Sequence, residues 1–131
     1  MALAYTIDPD QRLVTIRGEY AGPDEWRDLL GRILDDPRRR PGFALLRDLR
    51  GATTPTSAQT VVEVIAVVRG FWPRLQFSRY AVLTPLEFDP AAQVAEALAD
   101  VTQDLPLRTF PSYDEAVRWL RDDPRDRTEV T

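Results

Sequence analysis

The residues that stand out chemically are two carboxylates, Asp48 and Glu87, and a run of hydroxyls at Thr53, Thr54, Thr56 and Ser57. A carboxylate pair can do acid–base work or hold a hard cation. No metal-ligand spacing links these two, so local pairing of Asp48 with Arg47 or Arg50 is the plainer reading. A serine nucleophile needs a base beside it. The chain contains no histidine, no cysteine and no lysine; all 17 of its basic residues are arginine. That composition removes the usual neutral-pH base, the thiolate, Schiff-base chemistry, the P-loop lysine and nearly every zinc site. Asparagine is absent too. Codon usage in a GC-rich genome would account for the missing lysine and asparagine, less readily for the missing histidine and cysteine. The chemical exclusion holds either way. No G-x-S-x-G elbow, G-x-G-x-x-G loop or G-x-x-x-x-G-K loop occurs. The expectation is a protein that is not an enzyme, with no catalytic residue, metal or cofactor. Tyr5, Tyr20, Tyr80 and Tyr113, with Trp26, Trp72 and Trp119, read as packing or interface residues.

Length and charge narrow the class. At 131 residues the chain is long enough for one domain with a full core, here expected over residues 1–121. A charged fraction of 29% is ordinary for a soluble protein. The net charge of −4 argues against nucleic acid as a partner. Arg38-Arg39-Arg40 is the only basic run, and it lies between Asp35-Asp36 and Pro41-Gly42, as a solvated loop would. The N-terminus shows no secretory pattern, which favours a cytoplasmic location. The most apolar stretch, Val61–Val68, is broken by Glu63 and too short for stable membrane insertion.

The elements that must position these residues follow from periodicity. Leu3, Tyr5 and Ile7 alternate, as do Val14, Ile16, Gly18 and Tyr20, across the turn signal Asp8-Pro9-Asp10-Gln11; this predicts a β-hairpin. Trp26, Leu29, Leu30, Ile33 and Leu34 form a one-sided helical stripe that opens at Gly22-Pro23 and ends near Asp36-Pro37. Phe43–Leu49 predicts a buried strand. Thr56 and Gln59 have capping-box spacing ahead of a helix reaching about Leu75. Its valines favour a strand, but apolar residues at 61, 64, 65, 68, 71, 72 and 75 keep helical spacing. Phe77–Thr84 predicts a strand and Asp89–Asp100 an Ala-rich helix. Leu105–Phe110 predicts a strand, at an edge or beginning at Pro106. Ser112 and Glu115 form a second capping box before a short helix, and the segment from Asp122 reads as a frayed tail. The order ββαβαβαβα predicts an α/β fold: a five-stranded, mostly parallel sheet with one antiparallel strand and about four helices. Ligands of such sheets lie beyond the carboxyl ends of the parallel strands, an edge that here gathers Asp48, Arg50, Thr53, Thr54, Thr84, Glu87 and Ser112.

Three segments, AYTIDPDQRLVTIRG, FALLRDLRGATTP and RTFPSYDEAVRWL, in this order and spacing, resemble the SpoIIAA-like fold of STAS domains and of bacterial STAS/SEC14 domain-containing proteins. The resemblance covers about residues 3–121. It implies a regulatory or protein-interaction module. STAS anti-sigma-factor antagonists are switched by phosphorylation at the start of the helix after the third strand. Thr56-Ser57-Ala58-Gln59 stands in the comparable place, without the Asp and Gly of the Asp-Ser-x-Gly-like pattern. The likeness thus implies Ser57 or Thr56 as phosphoacceptor, although an N-cap hydroxyl explains the same residues. The SEC14 side implies a carrier or sensor of an apolar, lipid-like ligand.

The second helix also suggests a surface. Val61, Val64, Ile65, Val67, Val68, Phe71, Trp72 and Leu75 fill an arc of roughly 160° on a helical wheel, whereas a helix on a sheet needs about 100°. The expectation is that Val62, Ala66, Val67 and Phe71 lie near solvent and form a homodimer or partner interface. Cover by a neighbouring helix or by the C-terminal tail is the competing reading.

Overall fold

The computed structural model describes residues 3–52, 56–84, 90–102 and 105–122. The hairpin forms as its alternation requires. Strands β1 (Ala4–Asp8) and β2 (Leu13–Arg17) pair antiparallel, with Tyr5 opposite Ile16 and Ile7 opposite Val14. The turn is closed by Asp8, whose carboxylate accepts the amides of Asp10 and Gln11 at 3.1 and 3.2 Å. Arg12 adopts the left-handed conformation (φ 57°) that returns the chain into β2.

Helix α1 (Pro23–Asp35) begins with Pro in its first turn and with Asp24 and Glu25 at the positive dipole end. It buries Trp26, Leu29, Leu30 and Ile33, the predicted stripe. Its C-terminus is tied to the hairpin, because the Tyr5 hydroxyl donates to Asp36 at 2.9 Å. Donors from Arg38, through side chain and backbone, hold the Asp36 carboxyl well below the usual carboxylate range.

Strand β3 (Ala44–Asp48) is buried throughout and is the middle of the sheet. Helix α2 (Ala58–Leu75) follows, so helical spacing prevails over the strand preference of its valines. Burial of one face supplies the energy that propensity does not. Its cap differs from the expected one. Ser57, not Thr56, is the N-cap, accepting the Thr60 amide at 3.1 Å, while the Gln59 side chain bonds Glu63 instead. Pro73 sits in the last turn, and Gln76 ends the helix in the left-handed conformation.

Strand β4 (Tyr80–Leu83) is shorter than the apolar run that encodes it. Phe77 belongs to the core without entering the ladder, because the Ser78 amide bonds the Phe43 carbonyl at the strand's approach. Helix α3 (Pro90–Thr102) leads to β5 (Leu107–Phe110), an edge strand. Pro106 precedes it, and its carbonyl accepts the Tyr80 amide at 2.9 Å, a bond that needs no proline N–H. Helix α4 (Tyr113–Arg121) is capped by Ser112, which accepts the Glu115 amide as its S-x-x-E spacing predicts. The expected frayed tail lies, apart from Asp122, outside the described residues.

The sheet order is β1-β2-β3-β4-β5, antiparallel at the hairpin and parallel from β2 to β5. Each crossover joins adjacent parallel strands, and a constant right-handed sense places α1, α2 and α3 on one face. The main core lies there, with Val14, Ile16, Leu45, Val82 and Leu107 meeting the three helices. The other face carries a smaller core of Leu13, Ala44, Leu46, Ala81 and Leu83 under Ala116 and Leu120 of α4. No helix among the described residues is long and apolar enough to cross a membrane.

The neighbours of α2 correct the expected surface. α2 packs against α1 and α3, and two flanking helices bury a wider arc than a sheet alone. Val67, expected near solvent, is buried at 7% exposure. Phe71 is half-buried, with the Arg74 guanidinium 4.5 Å from its ring. Val62 (41% exposed) and Ala66 do face outward. Val67→Glu should therefore unfold the protein, read as loss of the cooperative thermal transition, because a carboxylate would be forced into an apolar site. Val62→Glu should leave the melting temperature nearly unchanged.

Candidate functional site

Residues at the end of β3 define two separate sites, because successive strand side chains point to opposite faces. Asp48 belongs to the α4 side. Its carboxylate takes a two-pronged contact from Arg50, with Nε at 3.1 Å and Nη2 at 2.9 Å, and accepts the Arg50 amide at 3.0 Å. Arg17 approaches to 3.7 Å. Burial pushes the Asp48 carboxyl upward, but the Arg50 hydrogen bonds and the charges of Arg50 and Arg17 outweigh it and hold it below its ordinary value. Arg50 in turn lies 5.4 Å from the Tyr113 ring. Asp48 is thus a clasp that ends β3. Glu87, Thr53 and Thr54 lie outside the described residues. Thr84 is buried, with its hydroxyl 3.3 Å from the Phe110 carbonyl. Ser112 serves as the α4 cap. Among the described residues, Asp48 and Arg50 pair with each other, while Thr84 and Ser112 each satisfy backbone groups of their own surroundings.

Arg47 points the other way, into the three-helix side. It is only 3% exposed. Its guanidinium donates to three backbone carbonyls: Nη1 to Ile16 at 3.4 Å and Asp48 at 3.3 Å, and Nη2 to Glu19 at 2.8 Å. It lies 5.6 Å from the Trp26 ring. Among the described residues no carboxylate oxygen comes within 4.0 Å of it. Burial lowers its proton affinity, opposed by Tyr80, Tyr20, Asp48 and Glu19. An arginine nevertheless keeps its proton in a protein. A buried cation without a carboxylate partner is costly unless polar groups or a ligand compensate it.

Arg47 forms part of the wall of a cavity of about 60 Å³ beneath the N-terminal half of α2. Tyr20, Ala21 and Trp26 close one side, Val61, Val64 and Ile65 of α2 the roof, and Ala91, Ala92 and Ala95 of α3 the far side. Tyr80 and Val82 form the floor, and Thr56 and Thr60 add hydroxyls at the α2 end. Trp72 supports Tyr80 from behind, stacked at 6.0 Å. Tyr80 is buried, and burial pushes its phenol up to about 12, with Arg47 opposing. It is a neutral hydrogen-bonding group at any ordinary pH. The cavity opens at the carboxyl ends of the parallel strands, where the sheet rule places ligands.

Of the expected ligand-loop residues that lie among the described residues, Thr56 alone reaches this cavity; Ser57 is exposed and caps α2. Arg47 was missed as a site residue. The available signal was one charge inside the apolar run Phe43–Leu46, but the sequence does not reveal which of Arg47 and Asp48 faces the helices. Among the described residues no three acidic side chains gather into a cation site. Compared with protein-family models, curated proteins and solved structures, the chain gives no significant match.

Tyr80 predicts an alkaline transition. Its folded value lies above the unfolded value of 10.0, so its contribution is complete below pH 10 and is lost as pH rises towards 12. The loss amounts to about 3 kcal/mol, and Tyr80→Phe should remove most of that dependence in denaturant titrations from pH 9 upward. Ser57→Ala should cost about 1 kcal/mol of stability through loss of the cap, and Ser57→Asp should restore it.

Proposed function

We propose that this protein is a non-enzymatic regulatory module of the SpoIIAA-like type whose input is a small, apolar-bodied ligand held beneath α2. The observation that carries this reading is the cavity at the strand ends, apolar on most of its wall and furnished with one buried guanidinium. The resemblance of three segments and the element order support the family assignment. The groups lining the cavity bind and orient; Arg47 keeps its proton and Tyr80 stays neutral, so neither is suited to proton transfer near pH 7. The size argues for a small ligand and against an enclosed lipid. A water occupies about 30 Å³ of liquid, and a benzene-binding engineered cavity measures about 150 Å³.

The output of such a module would be protein contact. The roof residues Val61, Val64 and Ile65 share their helix with Val62 and Ala66, which face outward, and with Ser57 at its cap. Ligand occupancy on one side of α2 can thus alter what the other side offers to a partner or a second copy of the chain. Phosphorylation of Ser57 fits the same surface, since an added phosphate is favoured at a helix N-terminus.

Native mass spectrometry of the purified chain should show a retained small molecule. Its removal should lower the melting temperature. Ala95→Leu, which fills the cavity from α3, should abolish retention while the protein stays folded. A wild-type protein that carries no ligand, and whose stability responds to none of a panel of small apolar compounds, overturns the reading.

A further inference from the structure

We propose that the ligand is a small monocarboxylate, with its carboxylate on Arg47 and a short aliphatic body against α2 and α3. The inference rests on reading the cavity as a ligand site and adds the chemical class. Arginine has five N–H donors. Three directions are taken by the carbonyls of Ile16, Asp48 and Glu19. The Nε–H and a second Nη2–H find no acceptor among the described residues. Among the described residues the site therefore holds more donors than acceptors, and Asp48 and Glu19 offset the charge only from a distance; an acceptor with a single negative charge would complete it. A planar carboxylate meets a guanidinium through parallel hydrogen bonds.

The field at this end of the sheet has the same sign. α1 and α2 begin beside the cavity, contributing Trp26 and Thr60 to its wall, and α3 contributes Ala91 from its first turn. Helix N-termini carry partial positive charge, and three of them converge on the space Arg47 lines.

The walls set the rest of the class. They are mostly aliphatic, so an anion lacking an apolar part would leave them unfilled. A phosphate dianion would bring two charges to one buried cation in a water-poor site, which is unfavourable. The volume of about 60 Å³, at about 10–15 Å³ for each water-sized group, leaves room for a carboxylate on one or two carbons.

The test is calorimetric titration of the full chain with acetate, its neutral isostere acetamide, and inorganic phosphate. Acetate should bind at least about tenfold more tightly than acetamide, because the charge-assisted fork is lost in the amide. Phosphate should not compete. Arg47→Gln should bring acetate down to the acetamide level. Should that variant fail to fold, Ala95→Leu leaves the guanidinium in place and should abolish binding of both organic probes. Equal affinity for acetate and acetamide, tighter binding of phosphate, no binding of acetate, or acetate binding that survives Ala95→Leu would each overturn the carboxylate assignment. The cavity reading is judged separately. Acetamide binding that Ala95→Leu abolishes, or a neutral ligand retained in native mass spectrometry, would leave it standing without the carboxylate.

Discussion

The pleat of β3 is the constraint on which the rest of the molecule turns. Five buried residues in the middle of the sheet carry two adjacent charges, Arg47 and Asp48. Alternation sends them to opposite faces, and each is compensated by different means. Asp48 is at a strand end beside flexible cations, so arginines from β2 and from the following loop close over it. Arg47 is enclosed on the helical side and, among the described residues, is met by backbone carbonyls and an aromatic face. A shift of one residue in the β3 register would exchange these environments and place a carboxylate in the main core, at a cost of several kcal/mol. The pairs Thr15–Leu46 and Leu46–Ala81 therefore follow from electrostatics as well as from apolar matching.

The winding of the chain supplies the second constraint. With each parallel strand laid beside its predecessor, the right-handed crossovers have no choice of face, and three helices crowd onto one side. α2 takes the central place and must be apolar over a wide arc. This accounts for the valines that α2 buries; Val62 and Ala66 remain outside that arc. The opposite face is left to the nine residues of α4, which cover β3 and β4. Towards the hairpin that face becomes polar, with Thr6 and Thr15 opposite each other. Phe110 and Trp119 finish the small core at the other edge, with the Arg79 guanidinium 4.7 Å from the indole ring.

The cavity is a consequence of these two constraints together. α1, α2 and α3 each contribute residues near their N-termini to its wall. Small residues of α3, Ala91, Ala92 and Ala95, leave space that larger side chains would fill. The cavity wall is mostly aliphatic, with polar groups confined to Arg47, the two tyrosines and two threonines.

Much of the fold was legible in one dimension. Periodicity separated strands from helices even in the valine-rich α2, because spacing along the chain is a local property that survives any packing. Ser112 was legible as a cap for the same reason: its partner amide is three residues away. The α2 cap was placed one residue early because Thr56 and Ser57 both offer a hydroxyl, and only the backbone angles at Ser57 decide between them. The order of strands, the face each helix covers, the burial of Val67 and the separation of Arg47 from Asp48 depend on contacts between residues distant in sequence. No local spacing encodes these. The composition alone excluded histidine, cysteine and lysine chemistry from any site in this chain, but only the tertiary structure could surround one arginine with apolar walls, because burial is a property of the packed whole.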